Sequence, residues 1–356
     1  MYISKGVKSI GWLRFYTFSC VFILLWLGAF TINMKKDIIG RKTNAGIDIT
    51  KLFMAILTIG IHTEPFGFDM WLDYGFGLAT RFCVPFFFVA SSYFFWIKER
   101  EVLAYIKRIL SLYVIWSLIY LPFDIPLLKG MPVKKILEMY LWEGNGHSLW
   151  YLWGSVVGFC IVFVLRKVMG SKQVFMVSVV FLLVGCIKST WAPMINSFTN
   201  FEIQDFLGSR NGLFYAFPYI ALGMAVAQGA VCQKGIEIGK LGKLLVSVIC
   251  LALEGSLMVF HFQTSSRILW FSVLPCTYYF FMLVKDADIR VSDRVSLFLR
   301  KMSTLIYLEH GIFLIVFQGL DTWKYFIAVL IASSLLAICI IEISEVRCFH
   351  WMKYLY

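Results

Sequence analysis

The sequence predicts an all-α, polytopic integral membrane bundle of ten core transmembrane helices with a possible extra one at its N-terminus. Three observations predict it. The chain is 60% hydrophobic and only 15% charged, with a mean hydropathy of +0.78. A soluble domain of 356 residues cannot hide that much apolar surface. Apolar runs of about twenty residues recur along the whole chain, the length a helix needs to cross ~30 Å of hydrocarbon. No connecting segment is long enough to fold as a soluble domain.

In chain order, the candidate spans are 46–62, 74–97, 109–126, 148–166, 173–187, 213–230, 243–260, 268–284, 303–318 and 325–343, with a weaker one at 15–33. The connecting segments alternate in charge. Those expected on one side (34–45, 98–108, 166–172, 231–243, 285–301 and the tail) hold twenty-one Lys and Arg, those on the other side seven. Basic residues gather on the cytoplasmic side of membrane proteins. Met34 and the C-terminus are therefore expected in the cytoplasm of a cell-membrane protein. The net charge of +12 is explained the same way, without nucleic acid. Residues 1–33 stand apart. An extra span, an extension from an upstream start codon and a signal-like segment all fit them. The expected organisation is this extension, a membrane domain over 46–343 and a short cytoplasmic tail over 344–356.

The nine cysteines are scattered through apolar runs. They form no CxxC or zinc spacing and read as small hydrophobes. There is no HExxH and no GxSxG, so neither a metal centre nor a nucleophile elbow is expected. The informative residues are the polar ones inside the apolar runs, since each charge there costs on the order of 2.5–3.5 kcal/mol.

The first span, "DITKLFMAILTIGIH", carries Asp48, Lys51 and His62. Lys51 and His62 are eleven positions apart, ~1,100° of helical rotation, so they share a face and lie ~16 Å apart along the axis. Asp48 lies one turn below Lys51 on nearly the same face. One polar stripe argues for a path across the bilayer, with Lys51 at the cytoplasmic end and His62 at the outer end. A snorkelling Asp48–Lys51 pair with an interfacial histidine is the plainer alternative.

In the second span, Arg81 lies at the level of His62, as a substrate contact or an interfacial anchor, and Pro85 is a candidate kink. Lys107 and Arg108 open the third span, as a phosphate clamp or ordinary topology charges. His147 precedes the fourth span beside Trp150, Tyr151 and Trp153, rings that an aromatic belt explains. Arg210 and Asn211 lead into the sixth. Glu254 lies in the seventh, with His261 at its outer end. Glu309 and His310 lie inside the ninth, ~100° apart on the helix, so they cannot share one contact.

Together these motifs resemble the acyltransferase-3 family of integral membrane acyltransferases. That family carries Arg or Lys eleven residues before His in its first core span, matched by Lys51 and His62. An "FFVLSG"-like stretch is matched by "FFFVASSYFF", with Ser92 in place of the usual Gly. The basic start of the third span, "HSLWYL" at His147, "FPYIALGM" and "YLEH" at His310 follow in order. The "SRNGLFYAFP" segment is also similar to the membrane half of membrane-bound serine racemases found with vancomycin resistance. The resemblance implies transfer of an acyl group, often acetyl, from cytoplasmic acyl-CoA to a hydroxyl of an envelope glycan or its precursor, with no bound cofactor. It makes His62 the base or transient acyl carrier and Lys51 the anchor of an anionic donor, with Asp48 beside it. Arg81, Lys107, Arg108, His147, Arg210, Asn211, Glu309 and His310 are the expected substrate contacts. A small-amino-acid transporter and a lipid-linked-sugar exporter are the alternatives. The sequence sets no oligomeric state.

The charge asymmetry is testable by single-cysteine labelling in a background lacking the native cysteines. A probe at Asp69 should react from outside, and one at Asp293 only after permeabilisation. The opposite result would invert the orientation.

Overall fold

The computed structural model describes residues 44–67, 69–141, 144, 149–199, 202–203, 208–231, 239–264 and 268–356. Within these residues the chain is helical and no strand occurs. Residues 1–33 and His147 lie outside the described residues.

Among the described residues, thirteen helices follow one another. α1 is Ala45–Thr63, α2 Met70–Thr80, α3 Cys83–Ile97 and α4 Val102–Leu128; the short α5 is Val133–Leu141. α6 is Trp150–Arg166, α7 Ser171–Lys188 and α8 the short Ala192–Phe198. α9 is Phe217–Ala227, entered through a π turn at Gly212–Ala216. α10 is Lys240–Ser256, leaving through a π turn at Leu257–His261. α11 is Val273–Asp286, α12 Asp293–Val316 and α13 Thr322–Ser344. A 3₁₀ run, Arg347–Leu355, follows.

Every expected core span coincides with a helix, but the helices are not equally suited to crossing. Among the described residues, six helical stretches are long and apolar enough: α1, α2 with α3, α4, α7, α10 with its π turn, and α13. α6 and α9 are shorter apolar helices. α11 has 14 residues, about 21 Å at ~1.5 Å each, well under the hydrocarbon thickness. α12 is long enough but carries Asp293, Arg294, Arg300 and Lys301 in its first half. The outer faces of α4, α7, α10 and α13 expose Leu118, Val180, Leu253 and Leu335. In a multi-pass membrane protein such faces meet lipid, which solvates them without penalty.

The expected second span is bent, and the bend is not at Pro85 itself. α2 ends at Thr80 and α3 begins at Cys83, leaving Arg81 and Phe82 between them. Proline has no N–H, so Pro85 cannot donate to the carbonyl of Arg81 four residues back. Helical bonding resumes with Phe86 N–H to Phe82 O, 2.9 Å. Pro218 acts similarly at the start of α9: it cannot bond the Phe214 carbonyl, and the preceding turn widens so that Phe217 N–H reaches Gly212 O.

α1 lies inside the bundle, packed on α12, α3 and α13. α9 packs on α3, α7 and α6 and is buried along most of its length. Close approach of α3 and α9 depends on one glycine. A Cβ at Gly223 would stand 2.4 Å from the Val89 carbonyl oxygen, and beside it Ser92 Oγ donates to Ile220 O at 2.6 Å. Small residues with a hydroxyl bond across the seam are how helices associate in lipid. The 3₁₀ run folds back onto α4 and α13: Trp116 Nε1–H donates to Leu355 O at 3.0 Å, and Ser344 Oγ and the Tyr356 hydroxyl are 2.9 Å apart. Lys353 and Lys301 bond Glu345 and hold its exposed carboxyl below the usual carboxylate range.

Gly223→Val should destabilise the protein by about 1–3 kcal/mol or more, the cost of overpacking a tight interface. The check is thermal unfolding in detergent. An unchanged Tm would show that the α3–α9 seam has slack.

Candidate functional site between α1 and α12

α1 and α12 run side by side and are tied at two levels. Near the N-terminal ends of both helices, Asp48 accepts a hydrogen bond from Ser296 and pairs with Arg300 Nε at 3.4 Å. Near the other end, the His62 and His310 rings are 5.4 Å apart, tilted by 33°. The same spacing of fourteen residues separates Asp48 from His62 and Ser296 from His310. At ~1.5 Å per residue the two levels are ~21 Å apart, and fourteen residues fall ~40° short of four full turns, so both ties use the same flank of each helix. The helices are parallel and in register.

His310 is fully buried, and its Nδ1 lies 3.1 Å from the carbonyl of Ile306. A carbonyl only accepts, so this contact puts the proton on Nδ1 and leaves Nε2 as the acceptor. His62 opens into a cavity of about 80 Å³ whose wall includes Thr58, Thr80, Arg81, Trp150, Arg210, Tyr215 and Tyr307. The guanidinium of Arg210 stands 5.7 Å over the Trp150 ring, and that of Arg81 6.0 Å from the Trp270 ring. Beside this cavity lies a recess of about 190 Å³ that shares Ile61, Thr80 and Arg81 and adds Glu64, Asp73, Tyr74 and Trp270. One guanidinium, two carboxylates and aromatic rings adjoining an imidazole make a place where a polar molecule can be held beside a base.

The level of Asp48 is basic. The Lys51 and Lys98 amines flank the Phe94 ring, 5.4 and 5.2 Å from its centre. Arg300 and Arg100 stand close enough to act electrostatically on Lys51, and Arg100 also covers the Tyr105 ring at 5.7 Å. Four cations around one carboxylate favour an anion.

The structure thus brings His62, His310, Arg81 and Arg210 to one place and Lys51 to the opposite end. It separates others of the expected site residues. Asp48, expected in the catalytic group, is 1% exposed and engaged by Ser296 and Arg300. It lies about four turns below His62, too far to take part at the imidazole. Asn211, expected to touch substrate, uses its side chain on backbone: Oδ1 accepts from Leu213 N–H and Phe214 N–H, both 2.9 Å, and Nδ2–H donates to Gly208 O. It caps the π turn. Glu309 is fully buried on another flank of α12, beside Ala337 of α13, and does not line the histidine cavity. Lys107 is exposed on α4, and Arg108 reaches Tyr356 O at 3.4 Å.

Glu254 is an architectural acid. Its oxygens accept from Trp191 Nε1–H at 2.8 Å and from Phe271 and Ser272 N–H at 2.9 and 2.8 Å, joining α8 and α10 to the start of α11. The residues that sequence reasoning missed are Arg300, Lys98, Arg100, Tyr307, Tyr215 and Thr58. Trp150 and Tyr151 were legible only as belt aromatics; Trp150 lines the cavity and Tyr151 packs between Phe88 and Tyr307.

This is a multi-pass helical membrane protein with a histidine site at one end of its central helix pair. Residues 44–342 match the family described as "Acyltransferase domain", and the chain belongs to this acyltransferase-3 family. It is similar to an "Amino-acid racemase" of Enterococcus faecalis, 24% identical over 334 residues, which cover 84% of this chain and 46% of the racemase. A second Enterococcus faecalis protein of that name is 24% identical over 263 residues, 68% of this chain and 36% of that protein. A "Serine/alanine racemase" of Enterococcus gallinarum is 27% identical over 240 residues, 60% of this chain and 33% of the racemase. The chain spans less than half the length of these curated relatives. No solved structure matches it.

Glu254→Ala leaves the backbone donors at the start of α11 without their acceptor. Each unsatisfied buried donor costs about 1–3 kcal/mol, so this variant should unfold at lower temperature. The check is its melting curve beside that of Glu254→Gln, which retains an acceptor and should lie between Ala and wild type.

Proposed function

We propose that the protein transfers an acyl group, acetyl in the simplest case, from acyl-CoA at the cytoplasmic face to a hydroxyl of an envelope glycan or its precursor at the outer face. The observation that supports it best is the polarity of the α1–α12 pair, with a cationic cluster at one end and an accessible imidazole backed by a second imidazole at the other. In this reading the protein lies in the cell membrane with its C-terminus in the cytoplasm and needs no bound cofactor.

Lys51, with Lys98, Arg100 and Arg300, holds the phosphates of the donor. Asp48 keeps Arg300 in place. A hydroxyl is a poor nucleophile until its proton is taken. His62 takes that proton, or first accepts the acyl group and passes it on. His310, fixed by the Ile306 carbonyl, orients it. Arg81 and Arg210 stand where negative charge develops on the carbonyl oxygen in the transition state. The recess with Glu64, Asp73 and Trp270 receives the rest of the acceptor: carboxylates accept hydroxyl hydrogen bonds and an aromatic ring packs on apolar ring faces.

A second reading is favoured by the amphoteric character of that recess and by the names of the racemase relatives. In it the recess takes a small zwitterionic amino acid and the protein moves it across the membrane.

One assay separates them. Labelled acetyl transfer from acetyl-CoA to envelope glycan is measured in membranes holding wild type, His62→Ala, Lys51→Ala or Lys51→Arg. Loss of His62 should lower kcat about 10²–10⁴-fold. Lys51→Ala should raise the KM for the donor more than that for the acceptor, and Lys51→Arg should keep partial activity, since it retains charge but not shape. No label transfer in wild type, together with His62-dependent uptake of labelled serine, would replace the transferase with the transporter.

A further inference from the structure

The segment between the spans expected at 109–126 and 148–166 reads in sequence as a plain connection, yet it contains α5. α4 ends at Leu128, and Gly130 follows at φ 84°, a left-handed turn that glycine takes without strain. Met131 N–H bonds Leu128 O at 3.0 Å, and the Pro132 carbonyl accepts from Lys135 and Ile136 N–H at 2.9 and 3.1 Å to open α5.

Tyr140 shows where α5 goes. Its hydroxyl donates to Asp124 Oδ2 at 2.7 Å, and its carbonyl accepts from the Tyr113 hydroxyl. Tyr113 and Asp124 are eleven residues, ~16 Å, apart along α4. Tyr140 is held between those two levels, and the end of α4 at Leu128 lies four residues, ~6 Å, beyond Asp124. α5 therefore turns back along α4 instead of running away from the bundle. Asp124 is almost wholly buried, and the Tyr140 hydroxyl satisfies a carboxyl that would be costly without a partner. The far end of α5 reaches the depth of the histidine pair: Tyr120, between Tyr113 and Asp124, donates from its hydroxyl to Leu308 O at 2.8 Å, two residues before His310.

At ~100° per residue the nine residues of α5 divide into three faces. Ile136, Met139 and Tyr140 share one and are partly buried. Lys134, Lys135 and Glu138 share another, all exposed, with Lys134 and Glu138 3.9 Å apart. Val133, Leu137 and Leu141 form a third, a narrow apolar edge along the whole helix, and all three are exposed. The apolar residues that precede this edge in the chain, Ile125 and Leu127 in the last turn of α4, are exposed too, so the edge continues the lipid-facing surface of α4. Lys129, Lys134 and Lys135 gather where the chain turns, against the single acid Glu138. Positive charge there complements lipid phosphates, and lysine stems let the amines reach them from an apolar edge.

We propose that α5 is a re-entrant amphipathic helix whose Val133–Leu137–Leu141 edge is seated in lipid hydrocarbon. The occupant of this edge is the bilayer itself, which covers it as it covers the adjoining face of α4. The inference stands apart from the reaction: it holds for a transferase and for a transporter alike.

The test uses the whole protein in liposomes, in a background lacking the native cysteines. One nitroxide-labelled cysteine is placed at a time, as Val133→Cys, Lys135→Cys, Leu137→Cys, Glu138→Cys or Leu141→Cys. All five side chains are exposed, so the labels should leave the melting temperature unchanged. Collisions with oxygen, which concentrates in hydrocarbon, are compared with those of a water-soluble nickel chelate. The oxygen-to-nickel ratio should be about ten-fold higher at Leu137→Cys and Leu141→Cys than at Lys135→Cys and Glu138→Cys. It should also rise from Val133→Cys to Leu141→Cys, since α5 descends ~12 Å over those eight residues. A low ratio at all five positions would make α5 a water-exposed connection. Protection of Leu137→Cys from both reagents would show that protein covers the edge, either another segment of this chain or a second copy. A high ratio that stays level from Val133→Cys to Leu141→Cys would show a helix lying flat on the membrane. Each of these three results overturns the proposal.

Discussion

Everything at the histidine site depends on α1 and α12 being held parallel and in register. The buried hydrogen bond and ion pair that Asp48 makes with Ser296 and Arg300 fix that register at one end. Equal fourteen-residue spacing then delivers His62 opposite His310 at the other. A shift of one residue along α12 would rotate its face by ~100° and bring Glu309 or Gly311 toward His62 instead. A buried pair of this kind adds little net stability relative to apolar packing, because desolvating the charges costs nearly as much as their attraction returns. Its value here is positional: the meeting of two imidazoles at one end of the helix pair is specified by an electrostatic contact about four turns away.

The membrane character of the fold was legible because lipid solvates apolar side chains and penalises polar ones, so composition and periodicity carry the signal directly. The limits of each helix were less legible. Pro85 announced a break but not its place, which follows from the bond it cannot make to Arg81. The span expected at 268–284 is a helix of only 14 residues, since Glu254 caps its start by binding the backbone of Phe271 and Ser272. That contact is seventeen residues distant in sequence and no local pattern encodes it.

Of the site, the polar residues stranded in apolar runs were legible: Lys51, His62, Arg81 and His310. Their faces were not. Periodicity says that Glu309 and His310 point apart, but only packing decides which one meets His62. Asp48 looked like a partner of Lys51 because the two are one turn apart, and Lys51 does act on it electrostatically, but its hydrogen bond and closest ion pair go to Ser296 and Arg300 of another helix. Arg300 was hidden in plain view among the basic residues that set topology, and the inward-facing Trp150 and Tyr151 among those that mark interfaces. Asn211 is polar and near the site, yet its side-chain oxygen is taken by the π turn and its amide nitrogen donates to Gly208 O.

The bend between α2 and α3 separates where a charge is placed from what that charge is. Arg81 sits in the gap, one turn before Pro85, which has no N–H to donate to its carbonyl. The location of the guanidinium is therefore written into the backbone by a residue with no polar atom in its side chain, and the identity of the group at position 81 is free to change without moving the bend. Two kinds of heredity follow. Substitution at 81 retunes what the histidine cavity attracts, from anion to cation to neutral, on an unaltered frame. Substitution at 85 alters the frame and carries every group near the gap along with it. A lineage can therefore vary the charge of this cavity through the first position while the second stays still.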